Sequence, residues 1–155
     1  MKNRTEKLVI GRKDKVDFPK LNLFDIDAKI DTGAYTTSIH CNNVKTKKVH
    51  AREYVIFELL DSSHSDYNNM KIKLPIHKIK NVKNSFGHSE KRFIVKTEII
   101  VFGEKIEIEM SLSDRTKMQY PVLIGRKLLD KKFIVDVSKV NLSYRAKKKK
   151  KKEKR

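Results

Sequence analysis

Two strand-like runs around a single glycine restrict this chain more than any other feature. KIEIEMSL (Lys105 to Leu112) changes between polar and apolar at every step, and FIVKTEIIVF (Phe93 to Phe102) precedes it as a mostly apolar run. A period of two is what a half-buried β-strand requires, because successive side chains point to opposite faces. The intervening Gly103-Glu104 suits a two-residue type II′ turn, which takes glycine first. Ile106, Ile108, Met110 and Leu112 form one apolar face, and Glu107 and Glu109 are expected to be solvated on the other.

The same period recurs elsewhere, and helical periodicity is scarce. Ile26, Ala28 and Ile30 alternate with Asp25, Asp27 and Lys29, giving a strand that runs straight into Asp31. Tyr54 to Leu60 and Met70-Ile72-Leu74-Ile76 supply two more strands, with Pro75 favouring an edge or a strand end. Between them Asp61 to Asn69 is a polar loop, and Lys78 to Lys91 is a second polar stretch read as a mobile excursion. Pro121 to Gly125 suits a buried strand, RKLLDK one or two helical turns, and Lys132 to Val137 a final strand. No repeat of solenoid length is present. The fold class is mostly β, in one domain with one short C-terminal helix.

Composition narrows the function classes. A length of 155 residues suits one domain, and 38% hydrophobic with 36% charged residues suits a soluble, folded one. Cys41 is the single cysteine, so no intrachain disulfide forms and a reducing, cytoplasmic home is expected. The apolar run Leu8 to Ile10 is too short for a signal peptide or membrane span. The formal net charge is +18, and the segment from Arg145 onward holds nine positive charges against one negative. Such a run repels itself and is expected to be disordered, with non-specific contact to polyanions through phosphate charge. The boundaries are therefore an N-terminal extension at 1–8, a folded domain at 9–144 and a lysine-rich tail at 145–155.

The stretch AKIDTGAYTTSIHC, Ala28 to Cys41, carries the chemistry. Asp31 at a strand end could be a turn residue, a metal ligand or half of a carboxylate pair. Asp-Thr-Gly alone is a weak signal. It gains weight from the strand before it, from Ala34 after it, and from a second apolar-apolar-Gly unit, Leu123-Ile124-Gly125, about ninety residues on.

IDTGA and LIGRKLL together resemble the retropepsin-like aspartic peptidases, and in particular the bacterial family long described as putative ATP-dependent zinc proteases. VIGRKDKVDFPKLNL, NSFGHSEKRFIVKT and DRTKMQYPVLIGRKLLDKKFIVD match it as well, so the resemblance covers Val9 to Val137. It implies a closed, barrel-like acid-protease fold with Asp31 as the catalytic carboxylate. Thr32 would bond across a dimer, Gly33 would let the backbone approach the acid, and Leu123 and Ile124 would pack beneath the loop, with Gly125 and Arg126 supporting it. Ser85, Gly87, Glu90 and Arg92 match the bacterial family's own motif and would belong to a flap over substrate, with Arg92 available to bind a substrate carboxylate.

Metal-free peptide hydrolysis needs one carboxylate to take a proton from water and a neighbouring carboxylic acid to polarise the carbonyl. Two acids about 3 Å apart cannot both ionise cheaply, so they share one proton. With one Asp-Thr-Gly per chain, the second acid must come from a second copy, so a homodimer acting on a peptide or protein is expected. Ala34 has no hydroxyl to donate to the pair, which favours its protonated state and work nearer neutral pH.

Rival chemistry lacks motifs. His40, Cys41, His50, His64, His77 and His88 show no HExxH or CxxC, and no GxxxxGK[ST] is present, so neither metal nor cofactor is expected. Cys41 reads as a small core residue. Two alternatives stay open: an inactive dimeric peptide-binding domain, and a basic nucleic-acid-binding module, which the charge and Tyr35, Tyr54, Tyr67 and Tyr120 would serve.

Overall fold

A computed structural model describes residues 6–83, 86–113 and 119–154. Its strands are β1 (Leu8–Ile10), β2 (Lys13–Phe18), β3 (Leu23–Ile30), β4 (Thr37–Val49), β5 (Arg52–Leu59), β6 (Lys71–Pro75), β7 (Lys78–Lys83), β8 (Ser89–Val101), β9 (Glu104–Ser113), β10 (Val122–Ile124) and β11 (Phe133–Val135). Helix among the described residues is limited to a 3-10 turn at Pro19–Leu21, α1 (Arg126–Leu129) and α2 (Leu142–Glu153). None is long and apolar enough to cross a membrane.

The main sheet runs β10-β3-β2-β8-β9-β4-β5-β6, and β10 pairs with β4 as well as with β3. That double pairing closes β10, β3, β2, β8, β9 and β4 into a barrel-like ring. β10 is parallel to β3, with Ile124 opposite Ile30, and antiparallel to β4, with Val122 opposite Ile39. Alternation sends Ile26, Ala28 and Ile30 of β3 and Ile106, Ile108, Met110 and Leu112 of β9 into one core with Phe18, Phe57 and Ile39. β1 and β11 form a separate parallel pair, Val9 opposite Ile134.

Four expectations change. The β8–β9 turn is Phe102-Gly103, with Val101 opposite Glu104. Both turn residues have positive φ, 51° and 73°, which makes it type I′. Phe102 holds that conformation because its N–H donates to Ser143 Oγ at 2.8 Å and its ring stacks on Phe133 with centroids 6.0 Å apart. The polar stretch after Lys78 is a hairpin, β7 against β8 from Lys78 opposite Ile94 to Lys83 opposite Ser89. Backbone pairing, which polar side chains do not forbid, decides it.

Glu109 is only 17% exposed rather than freely solvated, and it bonds His77 Nε2 at 2.8 Å and the Lys127 ammonium. Finally, most of the lysine-rich tail is helical. The Asp14 carboxylate accepts the N–H groups of Ser143 at 2.9 Å and Tyr144 at 3.1 Å, so a residue 129 positions away supplies the helix start that the local sequence lacks.

Candidate active site

Parallel pairing of β3 with β10 brings the two sequence motifs side by side. The Asp31 N–H donates to the Ile124 carbonyl at 2.9 Å, so the chain turns away from the sheet at the acid. The turn is short: Gly33 N–H donates to Asp31 Oδ1 at 2.8 Å, and Ala34 N–H to the Asp31 carbonyl at 3.3 Å. A β-carbon at Gly33 would lie 3.1 Å from Asp31 Oδ1, so glycine keeps the carboxylate uncrowded.

The second motif clamps the first. Arg126 N–H donates to the Ala34 carbonyl at 2.7 Å, Lys127 N–H to the Tyr35 carbonyl at 3.0 Å, and Arg126 Nη1 to the Thr32 carbonyl at 3.0 Å. Gly125 N–H donates to Thr37 Oγ1 at 3.3 Å. A β-carbon on Gly125 would meet the Tyr35 carbonyl oxygen at 2.6 Å, so only glycine permits this approach. Asp31, Thr32, Gly33, Ala34, Gly125 and Arg126 thus form one unit. Thr32 and Gly33 are exposed and Asp31 half-buried, which leaves the loop open to a partner.

Two members of this unit were not singled out for it from sequence. Thr37 is 2% exposed and ties the start of β4 to Gly125. Its signal was its place as the first inward residue of the returning strand. Tyr35 joins three elements: the Arg126 guanidinium lies 5.8 Å from its ring centre and the Lys80 ammonium 5.7 Å.

The β7–β8 hairpin stands over the loop. Between them is a cavity of about 250 Å³ lined by Ala34, Tyr35 and Thr36 on the loop side and by Lys80, Val82 and Arg92 on the hairpin side. Arg92 Nε is buried and has no hydrogen-bond partner among the described residues, and Nη2 is 3.7 Å from Glu90 Oε2. Gly87 lies at the exposed hairpin tip with a φ of 82°, and neither Gly87 nor Glu90 lines the cavity. Ser85 lies outside the described residues.

Charge beneath the clamp is balanced. The Lys127 ammonium, then His77, hold the Glu109 carboxyl down at about 2, and Glu109 in turn raises the Lys127 ammonium. This ties β9 to α1, whose first residues grip the loop. Among the described residues no three metal-ligating side chains converge. His40 Nε2 contacts Asp61 Oδ2 at 2.5 Å, and buried Cys41 points its sulfur to the Ser113 carbonyl at 3.8 Å, so these sequence neighbours serve different partners.

Comparison with known proteins bears on the family and the fold. Residues 9–146 match the RimB-like family model, described as retropepsin-like aspartic endopeptidase RimB. A probable alpha-L-glutamate ligase of Shewanella pealeana is 34% identical over 132 residues, 85% of this chain and 29% of the relative. One of Desulfotalea psychrophila is 32% identical over 130 residues, 84% of this chain and 28% of the relative. The chain therefore spans less than a third of the length of these curated relatives. A crystal structure of a Legionella pneumophila protein of unknown function superposes with a TM-score of 0.68 at 22% identity, covering 89% of this chain and 99% of that one, which shows the fold alone. The chain belongs to the RimB-like family of retropepsin-like aspartic endopeptidases.

Proposed function

We propose that the chain is one subunit of a homodimeric aspartic endopeptidase that cleaves acidic, glutamate-bearing peptides. The observation that carries this reading is the Asp31 loop, clamped by Gly125 and Arg126 with Asp31 half-buried and Thr32 and Gly33 exposed. Asp31 and Asp31 of the partner subunit would share one proton. The ionised member takes a proton from water as it attacks the scissile carbonyl, and the protonated member donates to the carbonyl oxygen. The first member then gives its proton to the leaving nitrogen while the second takes one back from a hydroxyl of the tetrahedral diol, so the C–N bond breaks, a carboxylic acid forms and the pair again holds one proton.

The need for a second copy has support on the surface. Val9 and Ile134, opposite each other on the β1–β11 pair, are 44% and 55% exposed, and Val137 nearby is 70% exposed. A groove of about 440 Å³ joins this pair to the loop, lined by Thr32, Tyr35, Arg126, Leu129, Phe133 and Val135 among others. Val9 and Ile134 lie on the opposite face of the pair from Phe133 and Val135, and exposed apolar side chains of this kind suit a partner surface. Preference for acidic peptides rests on Lys80 and Arg92 lining the cavity and on relatives named as glutamate ligases, of which this chain matches a part.

The test compares wild type and Asp31→Asn on peptides ending in several glutamates and on neutral peptides of equal length, with and without chelator. Chelator-insensitive cleavage of the acidic peptides that Asp31→Asn abolishes supports the reading. A dimer that binds these peptides uncut sinks catalysis, and chelator-sensitive cleavage that persists in Asp31→Asn sinks the mechanism.

A further inference from the structure

The peptidase reading leaves α2 unexplained. Its first half is fixed to the barrel. Asp14 accepts two of its N–H groups, Ser143 Oγ accepts the Phe102 N–H, and the Lys147 ammonium is shared between Asp17 at 2.9 Å and Asp25 at 2.7 Å. Its second half projects: every residue from Lys148 to Lys154 is exposed, and all but Glu153 are lysines. The site lies beside the Phe102-Gly103 turn, at the opposite end of β8 from the flap-like hairpin, and the family model ends at residue 146.

From this placement we infer that α2 is a nucleic-acid docking element that grips the phosphate backbone without reading bases. Charge density favours that partner. One side of the helix places four cations, Arg145, Lys148, Lys149 and Lys152, along about 10 Å, and duplex nucleic acid, with one charge per about 1.7 Å, offers several phosphates over that length. An extended acidic peptide offers a side chain only about every 3.4 Å. A lipid surface would need an apolar helix face to bury, and the projecting half has none.

The outer surface is also shaped. Tyr144, Arg145, Lys148, Lys149 and Lys152 share one side of the helix and line a shallow groove of about 380 Å³ with Asn141. The Lys148 ammonium sits 4.9 Å from the Tyr144 ring centre. Anchoring at Asp14, Asp17 and Asp25 holds this array in one orientation, so less ordering is needed on binding than for a loose polycation. Phosphates would also relieve the repulsion between stacked lysines.

The experiment measures anisotropy of labelled duplex DNA and single-stranded RNA with the full chain between about 50 and 200 mM salt. Two variants are compared with wild type: Arg145, Lys148, Lys149 and Lys152 all changed to Gln, and a control in which exposed Lys45, Lys47, Lys48 and Lys71 are changed to Gln. Affinity should fall steeply with salt. The helix variant should lower the log–log slope by about 3 to 4 and weaken low-salt binding at least about tenfold, while the control leaves both nearly unchanged. Binding of either nucleic acid in this pattern supports the inference, and the steeper slope identifies the preferred form. Equal losses in the two variants, tighter binding to poly-L-glutamate than to nucleic acid, or binding only to phosphatidylserine vesicles overturns it.

Discussion

Gly125 lies so close beneath Tyr35 that a β-carbon added to it would stand 2.6 Å from the Tyr35 carbonyl oxygen. The catalytic-type loop and the second motif are in backbone contact, with no side chain between them. It acts with the Asp31 N–H bond to Ile124 and the Arg126 bond to Thr32 to hold the loop that carries Asp31.

Gly125→Ala is therefore expected to push the loop off its support. Backbone cannot yield as a flexible side chain can, so the cost is about 1–3 kcal/mol, as for other overpacked sites. Urea denaturation of the purified variant checks this, and peptide cleavage should fall further than the stability loss explains.

Asp31→Asn should leave the fold and dimer intact and remove turnover. Asparagine keeps the shape and can accept the Gly33 N–H through its carbonyl oxygen, but it cannot serve as base. Loss of acid–base chemistry predicts a rate lower by at least about 10²–10⁴-fold. Sedimentation and a cleavage assay on the same sample separate the two effects.

Arg92→Ala and Lys80→Ala should raise KM for acidic peptides and leave kcat nearly unchanged. Hydrogen bonds to a charged group contribute about 1.5–3 kcal/mol, so about a tenfold to hundredfold rise is expected. Neutral peptides of the same length should show little change, and Arg92→Lys should recover part of the loss.

Acid should weaken the support beneath the loop. Glu109 and Asp61 are both held at about 2, the first chiefly by Lys127 and the second chiefly by the Ser63 hydroxyl and N–H. A depressed carboxyl stabilises the fold fully above its ordinary value, and that contribution is lost as pH falls through the folded one. The melting temperature should therefore drop between about pH 4.5 and 2. Glu109→Gln should flatten part of that drop, and added salt should shrink it further because Lys127 is exposed.

Asp14→Ala should release α2. Two N–H groups, one buried and one partly so, lose their acceptor, and a capping loss of about 0.5–2 kcal/mol is enough to melt a lysine-rich helix. Circular dichroism at 222 nm should fall while strand signal remains.

Much of the site could be read from the residues because the relevant patterns are local. Alternation in β3 ends at Asp31, and the apolar-apolar-Gly unit repeats at β10, so both halves of the clamp were visible before their contact was. What stayed hidden depends on distant partners. α2 takes its start from Asp14 and its anchor from Asp17 and Asp25, while its own lysines argue against order. The hairpin turn falls one residue earlier than glycine alone suggests because Ser143 and Phe133 hold Phe102. In the sequence Tyr35 serves only a nucleic-acid reading, because its partners Lys80 and Arg126 come from distant elements.

The three-residue strand β10 also sets an order of events. Asp31 and Thr32 emerge early from the ribosome, but their partners, the Ile124 carbonyl and the Arg126 guanidinium, come more than ninety residues later. Ring closure by such distant pairing is slow and comes late. A nascent chain thus carries its acid on an unset loop for most of its synthesis. The shape that would allow chemistry arrives only when nearly all of the barrel exists to hold it.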